Sequence, residues 1–169
     1  ACKGDMNPVS RLGLLVNFTR PHAHEGLAIL LAAARDAGIM LFAPPETAAM
    51  SSGVQPCFPE DFVKQGVQGV ISLGGDGSFL AASHLLAGTS LPLIGFNIGH
   101  LGYLTAVNEE GFAKALQSLA TGRYTLEART TITATVQKAN GECFACPDAL
   151  NDVVLSRAEG GRTIAVCLE

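Results

Sequence analysis

The sequence predicts an α/β domain built on a parallel sheet, followed by the start of an antiparallel all-β domain. Up to Gly122, short apolar runs alternate with amphipathic stretches, as strands and crossover helices do around a parallel sheet. Beyond Leu126, stretches rich in Thr and Val alternate polar and apolar residues between turn sequences, which is typical of antiparallel strands. We therefore place residues 11–122 in the first domain and 123–169 in the second, and expect residues 1–10 to be a disordered leader.

Each element of the first half follows from periodicity and punctuation. Apolar residues three, four and seven positions apart over His22–Ala37 indicate one buried helix face, and Gly38 ends that helix. The stretch Glu46–Pro59 is polar and rich in Pro and Gly, so we expect a surface loop with Cys57 exposed in it. The other predicted elements are strands over Leu12–Phe18, Ile39–Ala43, Val67–Leu73 and Pro92–Phe96, and helices over Ser78–Leu86 and Glu110–Ala120.

The second half offers several short strands in a small space. Asn140-Gly141 is the typical sequence of a type I′ hairpin turn, and Gly160-Gly161 marks another turn. The predicted strands cover Leu126–Gln137, Glu142–Cys146, Val153–Ser156 and Thr163–Leu168. A small sheet that ends with an open edge is prone to aggregation, so we expect the chain to be a fragment of a larger protein.

Composition excludes several classes of protein. With 48% hydrophobic residues and a net charge of −4, the chain is not a disordered polyelectrolyte, and it has no basic excess for binding nucleic acid. No apolar run reaches the roughly 18–20 residues of a membrane helix, so we expect no membrane association. Five cysteines at irregular spacing favour free thiols in a reducing compartment, and we expect a cytoplasmic protein.

The strongest local feature is the glycine-rich turn Gly74-Gly75-Asp76-Gly77-Ser78 between a strand and a helix. Its glycines let backbone N–H groups face outward, and with the helix N-terminus they form an anion cradle suited to phosphate. Asp76 would repel phosphate unless it accepts a proton from a hydroxyl or helps to hold a metal ion. Alternatively, Asp76 caps the helix. The turn is neither the dinucleotide fingerprint nor the P-loop, which disfavours a plain dehydrogenase and a P-loop ATPase.

Two further segments follow or precede predicted strands. In the segment from Asn97 to Thr105, glycines permit a tight excursion, and Tyr103 and Leu104 could stack on a flat ring. The alternative is a loop whose aromatic residue packs into the core. Asn151-Asp152 precedes a strand, where such a pair is most often a turn and less often a ligand contact.

The remaining candidates are weaker. Cys143 and Cys146 form a CxxC pair without a second pair, which fits two thiols in a hairpin better than a zinc site. His22 and His24 stand at a helix start, where solvated polar residues are common. His100 lies inside the second segment, where it could equally face solvent. We therefore expect no metal ligands among the protein's own side chains.

Taken together, three segments resemble the NAD kinase family, also called ATP- or polyphosphate-NAD kinases. They are GGDGSFL at 74–80, GFNIGHLGYLT at 95–105 and LNDVVLSR at 150–157. The resemblance also covers GRYTLEAR at 122–129 and Arg162. GGDG alone is shared with phosphofructokinases and with diacylglycerol and sphingosine kinases, whereas the other two segments single out NAD kinases.

The resemblance implies an NAD kinase-like fold and transfer of a phosphoryl group from ATP or polyphosphate to the adenosine-ribose 2′-hydroxyl of NAD, giving NADP. It also implies a divalent metal, usually Mg²⁺, and a homo-oligomer, dimer or tetramer. Asp76 falls on the family's proposed base, and Tyr103 on the aromatic position that packs against adenine. The expected dinucleotide- and phosphate-binding residues are Gly74, Gly75, Gly77, Ser78, Leu80, Asn97, Tyr103, Leu104, Asn151, Asp152 and Arg162.

Two departures from the family pattern qualify this expectation. Asp152 stands where the family often has Glu, which keeps the charge and shortens the reach. No counterpart of the family's TGSTAY segment occurs before Glu169, so we expect a truncated chain. The alternatives are a catalytically incomplete dinucleotide-binding fragment and a lipid or sugar kinase that shares only GGDG.

Overall fold

A computed structural model describes residues 6–99, 102–138 and 140–154 of the 169-residue chain. The chain divides into two compact units, with the break between Arg129 and Thr130. The sequence places the change of architecture a few residues earlier, and that domain boundary stays a prediction. No helix among the described residues is long and apolar enough to cross a membrane.

The first unit is built on a parallel five-stranded sheet, as the sequence predicts. The strands lie in the spatial order β3-β2-β1-β4-β5. The chain runs outward from β1 to β3 and then crosses to the other side of β1, so the strand order reverses between β1 and β4. The strands are β1 (Arg11–Val16), β2 (Met40–Ala43), β3 (Val54–Pro56), β4 (Val70–Gly74) and β5 (Leu93–Asn97).

Among the described residues, four α-helices connect these strands or follow them, and three of them match the predicted helices to within two residues. They are α1 (Ala23–Asp36), α2 (Pro45–Ala49), α3 (Asp76–Leu85) and α4 (Phe112–Ala120). Short 3-10 turns cover Pro59–Asp61 and Glu109–Gly111. Gly38, which follows the C-cap residue of α1, takes a left-handed conformation with φ of 70°, which is what the predicted stop requires.

The core forms on both faces of the sheet because side chains alternate along each strand. On one face, α1 and α4 cover the sheet, and the rings of Phe96 and Phe112 pack with their centroids 4.7 Å apart. On the other face, the fully buried Phe62 packs on Gly13 of β1. A Cβ at Gly13 would lie 2.6 Å from the Phe62 ring, so only glycine fits there.

The predicted surface loop Glu46–Pro59 is wrong in part, because it contains α2 and β3. Pro45 starts α2 at a position where its missing N–H costs nothing. Val54 begins β3 and is buried beside Leu41 of β2, while β3 tolerates Pro56 because it is an edge strand. Cys57 is also buried rather than exposed, and burial, aided by the nearby acidic residues, raises the pKa of its thiol.

The disordered leader is also wrong for residues 6–10, whereas residues 1–5 lie outside the described residues. Met6 N–H donates to the carbonyl of Gly122 and Val9 N–H to that of Leu119, at 3.1 and 3.0 Å. Val9 is buried in the main core. Met6 and Val9 are isolated apolar residues in a short, Pro-containing stretch, so they give no periodicity from which this docking could be predicted.

The described part of the second unit contains an antiparallel hairpin of β6 (Thr135–Gln137) and β7 (Cys143–Ala145). A bridge between Ile132 and Ala149 extends the pairing. The predicted strands are therefore too long, and Val153 and Val154 are exposed outside any strand. The rest of that strand and Thr163–Leu168 lie outside the described residues.

The predicted type I′ turn at Asn140-Gly141 is wrong. That turn type requires positive φ at both central residues. Gly141 has positive φ, at 87°, but its N–H donates to the carbonyl of Lys138 at 2.9 Å, a hydrogen bond that a two-residue turn centred on Asn140-Gly141 does not contain. The connection is longer than two residues, and the Lys138 N–H donates to the carbonyl of Glu142 at 2.8 Å across it.

Candidate functional site

The candidate site lies at the carboxyl ends of β1, β4 and β5, beside the point where the strand order reverses. In open α/β sheets, ligands bind outside the carboxyl ends of the strands at such a reversal. Asn17 follows β1, the glycine-rich turn follows β4, and the last residue of β5 is Asn97. The parallel register pairs Gly74 with Asn97, so two segments that are separated in the sequence begin side by side.

The glycine-rich turn is tight because Ser78 folds back over it. A Cβ at Gly74 would lie 2.7 Å from the Cβ of Ser78, so a larger residue would displace the turn. Gly75 is the N-cap of α3 in an extended conformation, and no side chain caps it within the described chain. The first N–H groups of a helix lack intrahelical partners, so this end of α3 can face an anion.

The carboxylate of Asp76 turns away from α3 and accepts three backbone hydrogen bonds from the second segment. Its Oδ2 accepts from the Tyr103 N–H at 2.8 Å. Its Oδ1 accepts from the N–H groups of Leu104 and Thr105, at 3.0 and 3.2 Å. The hypothesis that Asp76 caps α3 is therefore wrong. These N–H groups, that of Tyr103 foremost, lower the pKa of the carboxyl although partial desolvation opposes them.

The second segment has its own internal bonds. The buried Asn97 donates through Nδ2 to Thr105 Oγ1 at 2.9 Å, and the Gly102 N–H donates to the same hydroxyl at 3.2 Å. Gly95 of β5 allows close packing, since a Cβ there would lie 2.8 Å from the Cα of Thr105. The segment is thus held against the end of β5 and against Asp76.

The side chains of Tyr103 and Leu104 separate instead of forming one stacking surface. The Tyr103 ring is fully exposed, at 101% relative accessibility. Leu104 lines a mainly apolar cavity of about 320 Å³ beside β5, together with Phe79 and Gly95. The alternative that the aromatic residue packs into the core is therefore wrong, and Tyr103 is open to a ligand.

Asn17 and Arg20, which follow β1 and belong to no recognised sequence motif, also lie at the site. Asn17 donates through Nδ2 to Ser78 Oγ at 2.9 Å, which ties the β1–α1 loop to the glycine-rich turn. Arg20 places Nη2 3.4 Å from the position of a Cβ on Gly75. Among the described residues, no carboxylate pairs with this guanidinium. Their position directly after a strand that neighbours β4 is the feature that identifies them.

The structure therefore brings most of the predicted site residues together in the first unit. Those at the turn or in the second segment are Gly74, Gly75, Asp76, Gly77, Ser78, Asn97, Tyr103 and Leu104. Leu80 lies half-buried in α3. Asn151 and Asp152 lie in the second unit and are exposed. Arg162 and His100 lie outside the described residues.

No group of three His, Cys, Asp or Glu side chains suited to a metal ion occurs among the described residues. His22 instead bonds Glu25 through Nδ1 at 2.8 Å, and the His24 ring packs against Phe18. Cys143 and Cys146 are free thiols.

The fold is that of a known class of kinase. A crystal structure of yeast NADH kinase complexed with NADH superposes with a TM-score of 0.70, at 18% identity, over 86% of this chain and 48% of that chain. Residues 57–124, which include the glycine-rich turn and the second segment, match the family model of the ATP-NAD kinase N-terminal domain.

Curated relatives agree with this match. The NAD kinase of Moorella thermoacetica is 29% identical over 157 residues, which is 92% of this chain and 49% of that protein. The NAD kinase of Solibacter usitatus is 31% identical over 92% of this chain and 54% of that protein. That of Carboxydothermus hydrogenoformans is 39% identical over 95 residues, 56% of this chain and 34% of that protein. These matches show that the chain is similar to NAD kinases over most of its length, and it spans about half the length of the first two relatives.

Proposed function

We propose that this chain forms the part of an NAD kinase that holds the reacting hydroxyl and the phosphoryl donor. The reaction transfers a phosphoryl group from ATP or polyphosphate to the adenosine-ribose 2′-hydroxyl of NAD and gives NADP. The observation that carries the proposal is the position of Asp76, whose carboxylate lies at the first turn of α3 and whose Oδ2 can accept one further hydrogen bond. The match of residues 57–124 to the family domain supports it.

The proposed chemistry needs one acceptor for the hydroxyl proton. Within the described part of the chain, Oδ2 of Asp76 accepts a single N–H, and a carboxylate oxygen has two lone pairs, so the second can receive the ribose hydroxyl. The hydroxyl oxygen bonds to the terminal phosphorus, the bond from that phosphorus to the bridging oxygen breaks, and the proton passes to Oδ2. ADP, or a polyphosphate one unit shorter, leaves. The lowered pKa makes Asp76 a weak base, so the proton moves late in the reaction. A weak base is sufficient because phosphoryl transfer depends mainly on positioning and charge stabilisation.

We propose that NAD lies across the second segment, with adenine against the exposed Tyr103 ring. Gly77 and Leu80 would line this part of the site. Asn151, Asp152 and Arg162 are proposed to hold the dinucleotide, as the resemblance implies. The full exposure of Tyr103 supports a stacking role, since a bare aromatic ring gains about 1–3 kcal/mol by stacking on a base.

We propose that the donor phosphates meet the glycine-rich turn and Arg20. Backbone N–H groups at the start of α3 and the Arg20 guanidinium offer complementary donors to phosphate oxygens. The divalent metal that the family implies, Mg²⁺, neutralises phosphate charge when it is bound. The described residues contain no cluster of three side-chain ligands, which fits a Mg²⁺ held mainly by the donor phosphates and water.

We also propose that the active protein is a homo-oligomer, dimer or tetramer, in the cytoplasm. The free state of Cys57, Cys143 and Cys146 supports a reducing compartment. Static light scattering of the purified chain measures the oligomer, and a monomer at all concentrations would contradict that part of the proposal for this chain.

The deciding experiment incubates the purified chain with NAD, Mg²⁺ and either ATP or polyphosphate, and detects NADP with an NADP-specific dehydrogenase. NAD binding is measured separately by calorimetry. We expect NADP formation that Asp76→Asn abolishes and that the matched surface change Asp36→Asn preserves. NAD binding without NADP would identify a dinucleotide-binding fragment. Phosphorylation of a lipid or sugar without NAD binding would contradict the proposed function.

A further inference from the structure

We infer that Asp76 is also the positioning residue of the nucleotide-binding segment, because its carboxylate fixes the backbone of Tyr103, Leu104 and Thr105. This inference deepens the proposed function and rests on it for the identity of the ligand. It assigns different tasks to the two carboxylate oxygens. Oδ1 anchors the segment, and Oδ2 keeps one lone pair for the substrate hydroxyl.

The hydrogen-bond pattern supports this division. The N–H groups of three consecutive residues converge on one carboxylate, in the manner of a backbone nest that binds an anion. Oδ1 accepts two of them, from Leu104 and Thr105, and the Thr105 hydroxyl lies 3.4 Å from it. These contacts use the accepting capacity of Oδ1, whereas the Tyr103 N–H is the one donor to Oδ2 among the described residues.

Gly102 provides an independent reason for the close approach. A Cβ at Gly102 would lie 2.6 Å from Asp76 Oδ2 and closer still to Oδ1. The obstructing atoms are the end of a flexible side chain. Alanine would therefore push the carboxylate away and leave both the fold and the charge of Asp76 in place.

The hydrogen bonds from residues 103–105 to Asp76 link the binding of NAD to the carboxylate that faces its reacting hydroxyl. The N–H that bonds Oδ2 belongs to Tyr103, whose exposed ring is the proposed adenine platform. Displacing the carboxylate would release this backbone and would spread the ring over more positions. Affinity for NAD should then fall even when the carboxylate itself is still present. A residue that acted only as a base would change the rate and leave NAD affinity unchanged.

The test compares Gly102→Ala, Asp76→Asn and the control Asp36→Asn in the full chain. Amide hydrogen exchange at residues 103–105 in the ligand-free protein measures directly how strongly Asp76 holds these three N–H groups. We expect Gly102→Ala and Asp76→Asn to accelerate that exchange about tenfold or more, since each loses charge-assisted hydrogen bonds, while Asp36→Asn matches the wild type. Exchange that is unchanged in Gly102→Ala, with circular dichroism like the wild type, would overturn the inference whether or not NADP is made.

Calorimetry with NAD provides the second measurement. We expect Gly102→Ala to weaken NAD binding about tenfold with its carboxylate intact. Faster exchange with unchanged NAD affinity would overturn the positioning role. If the wild type shows slow exchange at residues 103–105 and binds no NAD, the proposed function fails although the anchor itself stands, so the two failures are distinguishable. Should Gly102→Ala not fold, Asp76→Asn provides the same exchange test with a side chain of the same size, and unchanged exchange at residues 103–105 in Asp76→Asn would overturn the inference.

Discussion

Two glycines in the recognised segments should respond oppositely to the same change to alanine. At Gly95, the new methyl group would lie 2.8 Å from the Cα of Thr105 and 2.9 Å from the Phe79 ring. These distances are about 0.6 Å shorter than ordinary carbon contacts. One obstructing atom is backbone, and β5 is fixed by its ladder to β4. We therefore expect Gly95→Ala to destabilise the first unit by about 1–3 kcal/mol, the usual cost of overpacking.

At Gly77, by contrast, the methyl group would meet no atom within 4 Å. Gly77 lies in the first turn of α3 and does not have positive φ, so alanine is compatible with its backbone. The substitution reduces the entropy of the unfolded chain and should stabilise the protein by up to about 1 kcal/mol. Gly77 is also proposed to line the dinucleotide site, so the added methyl group should weaken NAD binding while stability rises.

Urea unfolding followed by circular dichroism measures both effects. For a small domain, about 1–3 kcal/mol corresponds to a midpoint lower by roughly 1 M in Gly95→Ala. Calorimetry with NAD then separates stability from binding. A Gly95→Ala protein as stable as the wild type would refute the packing argument. A Gly77→Ala protein with unchanged NAD affinity would refute the placement of Gly77 beside the dinucleotide.

Three further predictions follow from charge and burial. Because the pKa of Asp76 is lowered from its ordinary value of 3.8, its stabilisation of the second segment is complete at neutral pH and is lost as the pH falls below 3.8. The amide-proton shifts of residues 103–105 should report this titration in wild type, and a midpoint above 3.8 would contradict it. Arg20→Ala should weaken ATP or polyphosphate binding while Arg35→Ala, on the exposed end of α1, does not; equal effects would remove Arg20 from the site. Buried Cys57, with its raised pKa, should react with a thiol reagent more slowly than exposed Cys143, and equal labelling rates would contradict its burial.

The parallel sheet could be predicted because its evidence is local. The apolar run of β4 is buried along its whole length, and α1 presents a buried stripe of Leu27, Leu30 and Ala34, so each has the periodicity of its environment. The stretch around α2 and β3 has no such pattern, since β3 has a single buried residue, Val54. Its strand exists because the edge of β2 offers hydrogen bonds, which is a tertiary cause that composition does not reveal.

The candidate site was predictable in its residue types and only partly in its contacts. Glycines at the end of a buried strand predict a phosphate cradle from sequence alone. The partner of Asp76 does not follow from sequence, because the hydrogen bonds join residues 27 to 29 positions apart. Asn17 and Arg20 can be assigned to the site only from the strand order, which places β1 beside β4. Long-range register, rather than local propensity, determines these contacts.

The register also resolves the apparent conflict of a carboxylate in a phosphate cradle. Pairing of Gly74 with Asn97 starts the two segments at the same height on neighbouring strands, so the second segment can turn back and present three N–H groups to Asp76. Those partial positive charges offset the negative charge that would otherwise repel a phosphoryl donor. An uncharged Asn at this position would accept fewer of these bonds and would place its own amide donors against N–H groups. The same three N–H groups that make the carboxylate tolerable beside phosphate also make it a weaker base, and they favour a role for Asp76 in orienting the hydroxyl over one in strongly deprotonating it.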